Sequence, residues 1–176
     1  MARNSFRDKA SNKIISLEQA SNYATLLRDK GSKIGNAGGF FDLLHVGHIR
    51  FLQYARENCD KLFVHILNDS SARFVKGCER PIIPFAERVE ALAALECVDV
   101  VIPLVNQNRG YNLSRHDLDL LIINTIKPTV LIRTQDAVNE QLINLKKIHK
   151  FEMIVLPPTH QHLSTTSIIQ KIRQSQ

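Results

Sequence analysis

The segment from Gly38 to His48 reads GGFFDLLHVGH and holds the densest set of groups able to do chemistry. His45 and His48 stand three residues apart at the expected start of a helix. That spacing puts both imidazoles on one face, beside the unpaired N–H groups of the first turn. Gly38 and Gly39 make a turn after a strand, where backbone N–H groups can approach an anion closely. Gly47 removes a side chain that would block a ligand between the two histidines. An imidazole pair, a helix N-terminus and a glycine turn suit a polyphosphate. Together they can stabilise charge that builds on a phosphorus centre and on a departing pyrophosphate. Taken alone, H-x-G-H also fits half a metal site or plain polar surface. His65, His160 and His162 are available to a metal in principle, but their spacing resembles no zinc pattern.

These groups need a scaffold, and the hydrophobic patterning supplies one. A loose polar arm over residues 1–15 precedes a single domain over 16–176. Ser16 is placed to cap a helix running to Lys30, with Leu17, Ala20, Ala24 and Leu27 at spacings of three and four, and Gly31 ends it. A strand is expected over Lys33–Ala37, in spite of its poor composition. Helices follow over Val46–Asn58, with Ile49, Leu52 and Ala55 inward, and over Pro84–Glu96, with Phe85, Val89, Leu92 and Ala93 on one face. Further helices are expected over Leu113–Ile126, Val138–His149 and Ser164–Arg173, the last with Ile168, Ile169 and Ile172 inward. The compact apolar runs Lys61–Leu67, Val98–Leu104, Thr129–Ile132 and Glu152–Leu156 are strands. Residues 69–83 read as loop.

Short apolar strands alternating with helices indicate an α/β fold: a doubly wound, parallel, five-stranded, Rossmann-like sheet with helices on both faces, preceded by an N-terminal helix. In such sheets the ligand site lies beyond the strand carboxyl ends, at the switch point. The polar motifs fall after the first, second and fourth strands and before the last helix, so one site can gather them.

Composition narrows the partners. Lys plus Arg outnumber Asp plus Glu by 23 to 17, giving +6 and favouring anionic ligands. The basic residues are scattered rather than striped, which argues against nucleic acid as the main partner. No apolar run approaches the roughly 18 residues of a membrane span, and Met1–Lys13 shows no apolar leader segment. The three cysteines, Cys59, Cys78 and Cys97, form no C-x-x-C, so a reducing cytoplasm is expected.

Two further segments complete a pattern. FVKGCERPIIPFAERVEALAAL, from Phe74 to Leu95, and LSTTSIIQKI, from Leu163 to Ile172, follow G-x-F-D-x-x-H-x-G-H in order. Lys76 alone would be an ordinary solvated lysine, Arg88 a helix-surface residue paired with Glu87 or Glu90, and Ser164 a plain N-cap. In combination the segments resemble the signature of the cytidylyltransferase-like nucleotidyltransferases over residues 16–175. The likeness is nearest to the heptose 1-phosphate adenylyltransferase domain of ADP-heptose synthesis.

The resemblance implies transfer of a nucleoside monophosphate from ATP or CTP to a sugar or polyol phosphate, with release of pyrophosphate. It implies catalytic roles for His45, His48 and Lys76. Nucleotide contacts are implied for Gly39, Phe40, Phe41, Asp42, Gly47, Arg88, Ser164, Thr165 and Thr166, and acceptor contacts for Asp69, Arg80, Arg133 and Asp136. Mg2+ would accompany the triphosphate, and a cytoplasmic homodimer is implied. A glycerol-3-phosphate-type cytidylyltransferase is the neighbouring reading. A catalytically inactive nucleotide-binding regulator is the reading of a different class.

The sequence also departs from the family pattern. KIGNAGG replaces an apolar run ending in T-N-G, and Leu67-Asn68-Asp69 stands where N-S-D is usual. The K-G-x-D-Y or K-G-x-D-W stretch is here Arg133-Thr134-Gln135-Asp136-Ala137, which keeps the cation and the carboxylate but loses the glycine and the aromatic. A guanidinium suits bidentate binding of phosphate or carboxylate. PPTHQHL carries His160 and His162 and lacks the arginine of the glycerol-phosphate enzymes.

Overall fold

A computed structural model describes residues 6–105, 114–156 and 164–175. Its elements, in chain order, are α1 (Phe6–Ser11), α2 (Leu17–Asp29), β1 (Ile34–Gly39), α3 (Val46–Glu57), β2 (Lys61–Leu67), α4 (Asp69–Lys76) and α5 (Phe85–Ala93). Then come β3 (Val100–Leu104), α6 (Arg115–Ile126), β4 (Val130–Thr134), α7 (Glu140–His149), β5 (Glu152–Leu156) and α8 (Thr165–Gln174). The five strands are all parallel, in the order β3-β2-β1-β4-β5. The order reverses between β1 and β4, which opens a crevice above their carboxyl ends.

Each face of the sheet buries its own core. One holds Leu62, Val64, Ile66, Val101 and Ile132 against Leu52 and Ala55 of α3 and Val89 and Leu92 of α5. The other holds Ile34, Phe63, Val100 and Ile102 against Ala20 and Ala24 of α2 and Ile122 and Ile126 of α6. Helix α2 begins as its sequence dictates. Ser16 and Gln19 form a reciprocal capping box, and Gly31, at φ 78°, follows its end.

The centre strand explains its own composition. A Cβ on Gly35 would lie 2.5 Å from the Cys59 sulfur, and one on Gly38 would lie 1.9 Å from Nε2 of His65. Neighbouring side chains occupy the space that β1 gives up, and β2 pairs with it along its whole length, through Gly38 opposite His65 and Gly39 opposite Ile66. It therefore runs two residues beyond the expected Ala37.

Other expectations are corrected. Residues 69–83 are not all loop, because α4 forms behind Asn68, whose side-chain oxygen accepts the Ser71 N–H at 2.9 Å. This helix buries only Ala72, so no apolar stripe announces it. The polar arm is structured from Phe6: α1 forms, and Ile14 bridges Val101 on the edge strand. Helix α8 lies against the molecule lightly. Ile168 and Ile169 are half-buried, but Ile172 is 53% exposed rather than inward.

Candidate active site

The β1–α3 turn sets the histidine pair. Phe41 and Leu43 adopt φ 50° and 47°, a left-handed conformation rarely taken by such bulky residues. His45 is then the N-cap of α3, and its Nδ1 accepts the Gly47 N–H at 3.1 Å. His48 completes a capping box, its Nδ1 accepting the His45 N–H at 3.5 Å. The two rings stack with centroids 3.9 Å apart, and Phe41 meets His48 edge-on at 5.4 Å.

This packing fixes the protonation of the pair. Burial, then the neighbouring His45, lowers the pKa of His48 to about 4, against a smaller opposing pull from Asp42; burial also lowers that of His45. Both rings are neutral at pH 7. Because each Nδ1 accepts a backbone N–H, the hydrogen-bond pattern assigns the ring proton to Nε2. Two N–H donors are thus turned from the protein backbone toward the crevice.

The crevice is a cleft of about 730 Å3. It is lined by His45, Gly47 and His48 from α3 and by Gly39, Phe40, Phe41 and Asp42 from the turn. Lys76 at the end of α4, Arg80, Arg133 and Asp136 line it as well, together with Ser164, Thr165 and Thr166 at the start of α8. The cations, the imidazole donors and two helix N-termini therefore converge on one space able to hold a polyanion.

Several side chains play parts that the sequence does not show. The buried Asp42 carboxylate accepts from Arg80 at 2.9 Å and from the N–H groups of Ile82 and Ile83, both at 3.0 Å. It anchors the loop after α4 from within the cleft lining. Asp42 also lends its carbonyl to the Thr165 hydroxyl at 2.8 Å, while Ser164 Oγ accepts the Ser167 N–H at 3.0 Å. The Thr165 hydroxyl ties α8 to the turn after β1, and the Ser164 hydroxyl caps the helix.

Arg88 and Asp69 do not line the cleft. Arg88 is 2% exposed and serves as a bracket beneath it: Nη2 donates to Asp69 at 2.7 Å, Nη1 to the carbonyls of Leu67 and Phe40, and Nε to that of Ile83. Sequence reasoning overlooked Phe51, Ala72 and Leu156, which line the cleft without a motif to mark them, whereas Thr134 and Gln135 line it within the altered family stretch. His160 and His162 lie outside the described residues.

Among the described residues no three His, Cys, Asp or Glu side chains gather as a metal site. No described helix is long and apolar enough to cross a membrane.

Comparisons with known proteins give the chain relatives and a shared fold. The chain is 36% identical over 162 residues to the bifunctional protein HldE of Geotalea uraniireducens, and 38% identical over 164 residues to that of Helicobacter hepaticus. These alignments cover 92% and 93% of this chain but 31% of each relative, so the chain spans about a third of their length. Among solved structures, the lipopolysaccharide core biosynthesis protein of Thermoplasma volcanium superposes with a TM-score of 0.56 at 24% identity, covering 72% of this chain and 98% of that one. Pantoate-beta-alanine ligase of Francisella tularensis, in complex with an ATP analogue and beta-alanine, gives 0.61 at 19% identity, covering 91% of this chain and 76% of that one. At those identities the structures establish a shared fold. Residues 36–171, from the middle of β1 into α8, match the cytidylyltransferase-like family, and the chain belongs to it.

Proposed function

We propose that the protein is a nucleotidyltransferase that moves an adenylyl group from ATP to a heptose 1-phosphate, releasing pyrophosphate. The observation that carries this reading is the stacked, neutral imidazole pair sharing one cleft with the N-terminus of α8 at the strand-order reversal. The HldE relatives and the family support the reaction class.

An oxygen of the acceptor phosphate attacks the α-phosphorus. A new P–O bond forms there while the bond to the bridging oxygen of the β-phosphate breaks, and pyrophosphate departs with that electron pair. A phosphate monoester is largely dianionic near neutral pH, its second pKa being about 6, so no general base is required. The barrier is lowered by alignment and by donors aimed where charge accumulates. His45 and His48 present Nε2–H to the α-phosphoryl and bridging oxygens. Lys76 neutralises phosphate charge from the end of α4, and the α8 N-terminus receives the outer phosphates. Arg133 and Asp136 face the acceptor. Mg2+ enters as part of the triphosphate substrate, and the same reading carries a cytoplasmic homodimer.

The test is pyrophosphate release with magnesium and ATP or CTP against a panel of heptose, glycerol and ethanolamine phosphates. Release with ATP and heptose 1-phosphate, abolished in His48→Ala, is the expected result. Release only with CTP and glycerol phosphate would move the chain to the cytidylyltransferase reading. Nucleotide binding with no release on any acceptor would make it a regulator.

A further inference from the structure

A row of residues crosses the sheet just below the cleft floor. His65 of β2 lies opposite Gly38 of β1 in the parallel register. On the other side, Arg133 of β4 lies two residues past the Asn36–Leu131 pair, the last that β1 and β4 share, so continuing that register brings it toward Gly38. All three share the sheet face covered by α6, because Arg133 Nη2 donates to Asp119 of that helix at 2.8 Å. Gly38 contributes no side chain, and the ring of His65 fills its place. The nearest atoms to a Cβ on Gly38 are all in that imidazole, Nε2 at 1.9 Å and Cε1 at 2.1 Å. The ring therefore lies across the β1 backbone on the side toward Arg133, whose charge adds to burial in keeping His65 neutral.

Arg133 is 6% exposed, yet it reaches the wall of the cleft. Three hydrogen bonds hold its guanidinium: Nη1 to the carbonyls of Asn36 and Ile132, and Nη2 to Asp119. Among the described residues its other two N–H groups have no acceptor, which suits a guanidinium that receives an anion. The space over Gly38 is where a long, flexible side chain on the next strand would swing if it were empty. His65 closes that space with a rigid ring, itself 3% exposed.

We propose that His65 is a positioning residue: by filling the space over Gly38 it keeps the Arg133 guanidinium at the cleft floor, where its free N–H groups bind the phosphate of the acceptor. This rests on the adenylyltransferase reading above, and deepens it by naming what sets the acceptor end.

The experiment measures steady-state pyrophosphate release with magnesium ATP and heptose 1-phosphate, together with thermal unfolding of each variant. For His65→Ala the acceptor KM should rise about tenfold, while kcat and the ATP KM stay within about twofold. His65→Gln, which keeps a neutral planar group in the gap, should hold the acceptor KM within about threefold of wild type. In an Arg133→Ala background the His65→Ala change should add less than about twofold, because its effect runs through the guanidinium. An unchanged acceptor KM in a folded His65→Ala protein would overturn the inference and leave the wild-type activity standing. So would equal losses for ATP and acceptor, or full additivity with Arg133→Ala. Absence of wild-type turnover on this pair would sink the adenylyltransferase reading and the inference with it.

Discussion

Arg88 offers the sharpest test of how the cleft is built. Its side chain is 1% exposed and joins the ends of β1 and β2, the start of α4 and the loop before α5 through Phe40, Leu67, Asp69 and Ile83. In Arg88→Leu three carbonyls and one carboxylate lose their donor together. Removing one partner of a buried ion pair costs about 3–5 kcal/mol, and each orphaned carbonyl up to about 1–3 kcal/mol. The contributions do not sum in full, because Asp69 keeps 29% side-chain exposure and can rehydrate. A loss of about 3–5 kcal/mol is expected, a large share of the roughly 5–15 kcal/mol that holds a domain together. Arg88→Lys keeps the charge but cannot span four acceptors from one ammonium, so about half that loss should remain. Urea unfolding followed by circular dichroism measures both, with ATP affinity determined on the folded fraction. The reasoning fails if Arg88→Lys unfolds at the wild-type midpoint yet no longer binds ATP. That result would return Arg88 to the nucleotide contact implied by the family resemblance.

Three further outcomes follow from the same geometry. His48 and His65 hold pKa values of about 4 and about 3 against an ordinary 6.5, so between these limits the unfolded chain binds more protons and stability falls as pH drops. In denaturant titrations across pH 4.5–6, His48→Gln should flatten that dependence by up to about 1.4 kcal/mol per pH unit; a slope identical to wild type would contradict the neutral ring. A triphosphate placed beside His45 and His48 must raise their pKa, so ATP binding near pH 6 should take up protons. Calorimetry in buffers of different ionisation enthalpy reads that uptake, which should vanish in the His45→Gln/His48→Gln protein. Finally, Gly38→Ala should lower stability by about 1–3 kcal/mol through overpacking on His65, and the loss should largely disappear when His65→Ala is added. An equal loss in both backgrounds would mean that the imidazole is not what fills the gap.

The legible part of the molecule was the part written in short-range chemistry. Ser16 before apolar residues at spacings of three and four announced a helix start, the run KLFVHIL announced a buried strand, and H-x-G-H placed two rings on one helical turn. What stayed hidden depends on register between strands that are distant in sequence. Arg88 sits on a helix beside Glu87 and Glu90 and reads as solvated, because nothing local shows that Phe40, Leu67 and Asp69 close over it. The same holds for Asp42, whose partners lie about forty residues away at Arg80, Ile82 and Ile83. Helix α4 escaped for a different reason: one buried alanine makes no periodic stripe. His65 was visible only as a polar residue in an apolar run, and its meaning required knowing that Gly38 stands opposite.

The glycine-rich middle strand has a consequence for inheritance. Its bare positions are moulds, each cast by one particular neighbour: Cys59 at Gly35 and His65 at Gly38. Evolution can therefore rewrite this floor only in pairs. A descendant or cousin bearing a side chain at position 38 must carry a smaller residue than histidine at 65, and the part of its cleft lined by Arg133 would be reshaped in the same step.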